Sequence, residues 1–162
     1  MTFLGSLFGS RPAPHVRIAT AADAEDLAAT HAAAFRRGWG ADEFERLLGD
    51  RTAEAHVVCR EPNGPVVGFV LSHVVPPDSE ILSIAVLPEA RGRGHGRTLL
   101  AHHLGRLAAR GVRASHLEVE ATNSAALRLY RRLGYTETGR RKGYYATASG
   151  TPADAVRMRL DF

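Results

Sequence analysis

The period of apolar positions changes several times along the chain, and each change marks an expected element. Residues 15–19 read as a short strand, after which Thr20 and Asp23 have the spacing of a capping box that opens a helix to about Phe35. A second short helix is expected from about Asp42 to Leu48. The apolar run 55–59, the turn-forming Glu61-Pro62-Asn63-Gly64-Pro65 and the run 66–75 predict a hairpin, and Pro76 and Pro77 then break the chain. Residues 81–87 are almost continuously apolar, as expected of a central strand covered on both faces. Leu100, Leu104, Leu107 and Ala108 lie at helical spacing between Gly94 and about Arg110, with Gly111 as the C-cap. Leu117-Glu118-Val119-Glu120 alternates strictly and predicts a strand; Asn123 caps a helix that runs to Leu133 and ends at Gly134. Closing strands are expected near residues 135–139 and 155–160.

This order predicts one mixed α/β domain over residues 15–162, without internal repeats. Residues 1–14 read as a flexible N-terminal extension, because their short apolar stretch has no preceding positive charge and falls short of a bilayer span. A length of 162 residues suits a single core, and 44% hydrophobic with 23% charged residues is ordinary globular composition, which argues against disordered and fibrous classes. The single cysteine, Cys59, excludes an intramolecular disulfide framework and fits a reducing, cytoplasmic setting. It sits in a strand run with no marked partner base, so it reads as a buried apolar residue. The eight histidines lack ligand spacing, and adjacent His102 and His103 point to different parts of a helix, so no metal is expected.

Charge changes the picture more. The net charge is +4, with Lys142 the only lysine, and the arginines gather beside one glycine-rich loop and between residues 128 and 142. Aromatic residues are not interleaved among them in the manner of an RNA-binding surface. A phosphorylated small molecule or a ribosome-associated target explains the charge at least as well as nucleic acid, and no direct nucleic-acid binding is expected. The loop is Arg91-Gly92-Arg93-Gly94-His95-Gly96-Arg97, between the apolar strand and the long helix. Three glycines let main-chain N–H groups converge on an anion, and the helix N-terminus adds unpaired donors and about half a positive charge. The spacing fits neither GxGxxG nor a Walker loop, so the expected ligand is a diphosphate of another kind.

These segments together resemble the GNAT superfamily of N-acetyltransferases. The resemblance rests on Arg91, Gly94 and Gly96 opening a long helix after Leu82-Ser83-Ile84-Ala85-Val86, and on Leu117-Glu118-Val119 leading to Asn123. It continues through Leu129-Tyr130-Arg131-Arg132-Leu133-Gly134-Tyr135 and Arg141-Lys142-Gly143-Tyr144-Tyr145, with Asp154-Ala155 beyond. It implies the GNAT fold, a single mixed central sheet of about six to seven strands flanked by about four helices. It also implies acetyl-CoA as cosubstrate: the main chain of Ile84, Ala85 and Val86 and the side chain of Asn123 would meet the pantetheine arm, and residues Arg91, Gly92, Arg93, Gly94, His95, Gly96 and Arg97 the diphosphate. Asn123 is a helix cap by pattern, and the two roles are compatible.

Amide formation needs a neutral amine and a means of protonating or stabilising a departing thiolate. An α-amine near pKa 8 costs about 1.4 kcal/mol to deprotonate at pH 7, a lysine about 4.6 kcal/mol, so an α-amine needs only a modest base. Glu118 and Glu120 share a strand face at about 6.6 Å spacing, where repulsion between them would raise one pKa, and alternation alone makes them an ordinary polar face. By the resemblance Glu118 is the general base. Tyr130, three residues after Leu127, is a core tyrosine by pattern and the general acid by the resemblance. Tyr144 and Tyr145, otherwise edge-strand packing, would hold an acceptor's first residues together with Trp39. The implied acceptor is a protein N-terminus, in particular the N-terminal alanine of a small-subunit ribosomal protein. The rivals are transfer to a small-molecule amine and a non-catalytic acyl-CoA-binding module; loss of the glutamate and tyrosine would mark the latter, and both are present. No membrane partner is expected, and the molecule is expected to be a monomer or weak dimer.

Overall fold

The computed structural model describes residues 13–162, so the extension expected over residues 1–14 lies almost wholly outside the described residues. The chain forms β1 (His15–Ile18), a 3-10 turn, α1 (Ala24–Ala34), α2 (Ala41–Leu48), β2 (Ala53–Cys59), β3 (Val66–Val75) and β4 (Asp78–Val86). It continues through a second 3-10 turn, α3 (His95–Ala109), β5 (Ala114–Glu120), α4 (Ser124–Arg132), β6 (Thr136–Tyr145) and β7 (Ala153–Asp161). The seven strands make one sheet in the order β1-β2-β3-β4-β5-β7-β6, in which only the β4–β5 contact is parallel.

The helix starts follow from their caps. Asp23 accepts a hydrogen bond from the Thr20 main-chain N–H at 2.8 Å and is ion-paired with Arg17 at 2.8 Å, which fixes the turn that leads into α1. Strand alternation then divides the apolar side chains between two layers. Val58, Val70, Ile81 and Leu117 pack under Leu99, Leu100, Leu104 and Leu107 of α3 and Leu127 and Tyr130 of α4. Val57, Phe69 and Leu71 face the other way, against Leu27 of α1 and Phe44 of α2. Ala108, expected on the buried face of α3, is exposed, because that face is turned toward Leu99 and His103 on the other side of Leu100, Leu104 and Leu107.

Two strands differ from expectation for identifiable reasons. β4 and β5 each begin three residues early, where Asp78, Ser79 and Glu80 pair with Ala114, Ser115 and His116 through main-chain bonds that leave no apolar signal. β6 runs six residues past the expected end because it is a sheet edge with almost every side chain exposed, so no period marks it. Cys59 is buried as expected, and burial pushes its thiol up. No helix among the described residues is long and apolar enough to cross a membrane.

One polar chain crosses the α3 layer. His56 Nδ1 and His103 Nδ1 are 2.8 Å apart, Ser72 Oγ is 2.7 Å from His103 Nε2, and His56 Nε2 lies 3.9 Å from Glu54, which Arg110 neutralises from the surface. With both rings neutral, a proton on His103 Nδ1 lets Ser72 donate to Nε2 and turns an N–H of His56 toward the carboxylate; the opposite tautomers would aim a lone pair at that negative charge. Burial first depresses both rings, His56 to about 4 and His103 to about 3. Their unfolded counterparts titrate near 6.5, so the unfolded chain takes up protons that the folded one refuses as pH falls below that value. The neutral pair is therefore at full stability above about pH 6.5 and loses about 1.4 kcal/mol per histidine per pH unit below it. Urea unfolding at pH 7.5, 6 and 5 should reveal an uptake of nearly two protons by pH 5; a flat unfolding free energy across that window would remove the pair as the cause.

Candidate active site

β4 and β5 are paired over only three residues, from Asp78, Ser79 and Glu80 to Ala114, Ser115 and His116. Directly beyond, β4 carries one extra residue: Ser72 pairs with Ile81 and Leu71 with Ser83, which leaves Leu82 as a bulge. A bulge bends its strand, and from there β4 stays with β3 while β5 stays with β7, so the sheet opens as a fork. The Leu87 N–H donates to Val67 O at 2.8 Å, so alternation turns the main-chain groups of Ala85 toward β3 and those of Ile84 and Val86 into the fork. Ala85 is thus a backbone neighbour of the opening, and Ile84 and the N–H of Val86 present the free edge, the Val86 carbonyl accepting from Arg91.

The glycine loop closes the wide end of the fork. Gly92 and Gly94 have φ of 73° and 82°, the left-handed region that favours glycine, and open space lies where their side chains would be. Gly94 is the N-cap of α3, and the first helical bond runs from Thr98 N to Gly94 O, leaving the N–H groups of His95, Gly96 and Arg97 without helical acceptors. A Cβ at Gly96 would meet Leu129 at 3.6 Å and Val86 at 3.7 Å, ordinary van der Waals contact, so the start of α3 lies against α4 and β4. Arg91 folds back to donate from Nε to Val86 O at 3.0 Å. Arg93 and Arg97 are exposed. The His95 ring is buried, its Nδ1 3.1 Å from Ala90 O, so only its main chain faces the loop. Unpaired amides, an open strand edge and arginines form a seat that fits the diphosphate and amide-containing arm of coenzyme A.

Glu118 lies on the β5 arm of the fork and is partly buried. Arg141 NH2 is 2.9 Å from its Oε1 and Arg157 Nε is 3.7 Å away, so the repulsion expected from Glu120 is met by two cations. A cavity of about 140 Å³ opens beside it, lined among others by Glu80, His116 and Arg157. Tyr130, on α4, is 5% exposed and packs edge-on against Tyr135 at 5.8 Å. Burial first, with Tyr135 and Tyr145 adding to it, holds its phenol well above the ordinary tyrosine range. Both sequence roles of this residue are therefore physically open: it is a core tyrosine, and its hydroxyl keeps its proton. Asn123 caps α4, its Oδ1 accepting from the Ala126 N–H at 3.1 Å.

Tyr144 and Tyr145 meet edge to face at 5.2 Å at the end of β6. Burial and then the charge of Glu118 push the Tyr145 phenol up, which marks its position beside that carboxylate. Between Arg141, opposite Ala155, and Tyr145, opposite Ala153, β6 carries two extra residues, and Gly143 at φ 61° donates its N–H to Asp154 Oδ1 at 3.0 Å. This bulge leaves Tyr144 half-exposed and brings the Arg141 guanidinium 4.9 Å over its ring. Trp39 belongs to a different group: it stacks on His31 at 4.8 Å, tilts against Phe44, and donates its main-chain N–H to His31 Nδ1.

The pattern along the chain did not reveal Arg141 and Arg157 as partners of Glu118. Their only signal is register, and β7 lies between β5 and β6, so that register follows from no local spacing.

Comparison with known proteins gives a consistent set of likenesses. The acetyltransferase (GNAT) family model matches residues 24–135. The [ribosomal protein bS18]-alanine N-acetyltransferase of Escherichia coli K12 is 36% identical over 122 residues, 75% of this chain and 80% of that protein. The N-alpha-acetyltransferase RimI of Mycobacterium tuberculosis is 36% identical over 148 residues, 88% of this chain and 89% of its own. The crystal structure of the ribosomal-protein-S18-alanine N-acetyltransferase from Escherichia coli matches with a TM-score of 0.84 at 30% identity, covering 92% of this chain and 94% of that one. The structure of yncA from Salmonella typhimurium with its cofactor acetyl-CoA matches with a TM-score of 0.78 at 25% identity, covering 92% and 94%.

Proposed function

Since the chain belongs to the GNAT family of acetyltransferases, we propose that it moves the acetyl group of acetyl-CoA to the N-terminal α-amine of a protein, with the N-terminal alanine of a small-subunit ribosomal protein as acceptor, in the cytoplasm. The observation that carries this reading is the fork itself: an open β4 edge, a glycine loop with free amides, and Glu118 on the opposite arm.

Acetyl-CoA supplies a thioester carbon for attack. Ile84 and Val86 bind the arm through their main chain, and the amides of residues 92–97 with Arg93 and Arg97 take the diphosphate. Asn123 keeps its cap bond through Oδ1 and has its amide N–H groups left for the arm. Glu118 accepts the proton that the amine loses as its nitrogen bonds to the acetyl carbon and the carbon–sulfur bond breaks. Tyr130 holds its phenolic proton more tightly than a thiol, whose ordinary pKa is about 8.5, so it stabilises the departing thiolate chiefly as a hydrogen-bond donor. Tyr144 and Tyr145 hold the first residues of the acceptor. The family names of the relatives and the paired tyrosines beside Glu118 favour a peptide over a small-molecule amine.

Glu118→Gln is expected to lower kcat by about 100-fold or more while the coenzyme affinity stays near wild type, because the lost function is proton acceptance. Tyr130→Phe should lower kcat by about 100-fold, the cost of one donor aimed at developing charge. Gly94→Asp should weaken coenzyme binding by at least about tenfold, since it adds a negative charge and left-handed strain at the diphosphate seat. Calorimetric titration with steady-state rates checks all three; unchanged turnover in the glutamine variant removes the base assignment. A short peptide beginning with alanine should outperform free amines as acceptor, and mass spectrometry of cellular N-termini with and without the protein identifies the target. A strong preference for free amines would replace the peptide reading with the small-molecule one.

A further inference from the structure

A base that removes a proton from an amine works best when its lone pair is free, yet the Glu118 carboxylate is engaged. Arg141 NH2 stands 2.9 Å from Oε1, and Arg157 Nε stands 3.7 Å from the same oxygen. The other ionisable groups around it are Glu80 from β4, His116 and Glu120 along β5, and Tyr145 from β6. Arg141 differs from Arg157 in having a second engagement: its guanidinium lies 4.9 Å above the ring of Tyr144. The bulge at Gly143, pinned by Asp154, holds both residues on the same side. One side chain therefore spans the base and the acceptor-holding tyrosine.

An α-amine with a pKa near 8 arrives mostly as a cation, and the carboxylate it must reach already has one. We propose that Arg141 is a specificity-determining residue, a built-in competitor that yields Glu118 only to an acceptor able to give the displaced guanidinium a new partner. This rests on Glu118 as the base. A peptide has main-chain carbonyls immediately behind its amine, and these receive the released guanidinium over Tyr144. A small amine without a peptide bond has none, so it displaces Arg141 without compensation. The half-exposed arginine thus filters acceptors by the groups that follow the amine, not by the amine itself.

The test compares kcat/KM for an alanine-initiated peptide and for ethylamine, which has no acceptor atom behind its nitrogen, in wild type, Arg141→Ala and Arg141→Lys. In the alanine variant the value for ethylamine should rise about tenfold, the scale of one exposed ion pair plus one cation–π contact, while that for the peptide should fall. The lysine variant should keep the wild-type order, because its charge still competes. Millimolar guanidinium should inhibit the alanine variant competitively with ethylamine and leave wild type nearly unaffected, a response that loss of structure alone would not produce. A parallel drop for both acceptors in a variant with unchanged thermal unfolding overturns the proposal. If wild type acetylates ethylamine and no peptide, the peptide reading fails, and the rise for ethylamine in the alanine variant still decides the role of Arg141.

Discussion

The parting of two parallel strands organises this molecule. β4 and β5 share three residue pairs and then separate, which strands polar backbone groups on both inner edges. Exposed backbone donors and acceptors in a half-buried cleft demand partners, and a ligand rich in amides and phosphates is one that meets the demand without rebuilding the sheet. Every other feature of the site depends on that opening: the Leu82 bulge starts it, the glycine turn closes its mouth, and the end of α3 points its unpaired amides across it. The two hydrophobic layers hold the arms apart, since α3 and α4 pack on one face and α1 and α2 on the other.

Much of this was readable from the chain because the deciding signals are local. Helices α3 and α4 begin and end at glycines and at Asn123, whose conformational and capping preferences leave few alternatives. The glycine loop was readable for the same reason. β6 was not: as an exposed edge it has no buried face to impose alternation, so only pairing with β7 reveals its length. The insertion of β7 between β5 and β6 hid the surroundings of Glu118 equally well, because a reading of Leu117 to Glu120 alone presents two carboxylates and no cation. Tyr130 and Asn123 each have the structural duty that the sequence pattern predicted: the first packs in the core and the second caps α4.

Electrostatics in the two halves of the sheet follow opposite rules. Beside α3 the chain buries histidines by keeping them neutral and hydrogen-bonded, since a charge there would have no water. On the open face of β5, β6 and β7 it leaves carboxylates and guanidiniums charged and pairs them where solvent still reaches. A protein that had exchanged these arrangements would have an acid-labile cleft and an uncharged outer face.

The bulge in β6 has a meaning for the molecule's behaviour at high concentration. A ten-residue outer strand is a template on which a stray chain can crystallise its own backbone, the first step toward fibrils. Arg140, Arg141 and Lys142 in succession, followed by the kink at Gly143, deny any newcomer a straight, uncharged rail. Arg141, which pairs with Glu118 inside the cleft, thus also helps keep the sheet from growing at its edge.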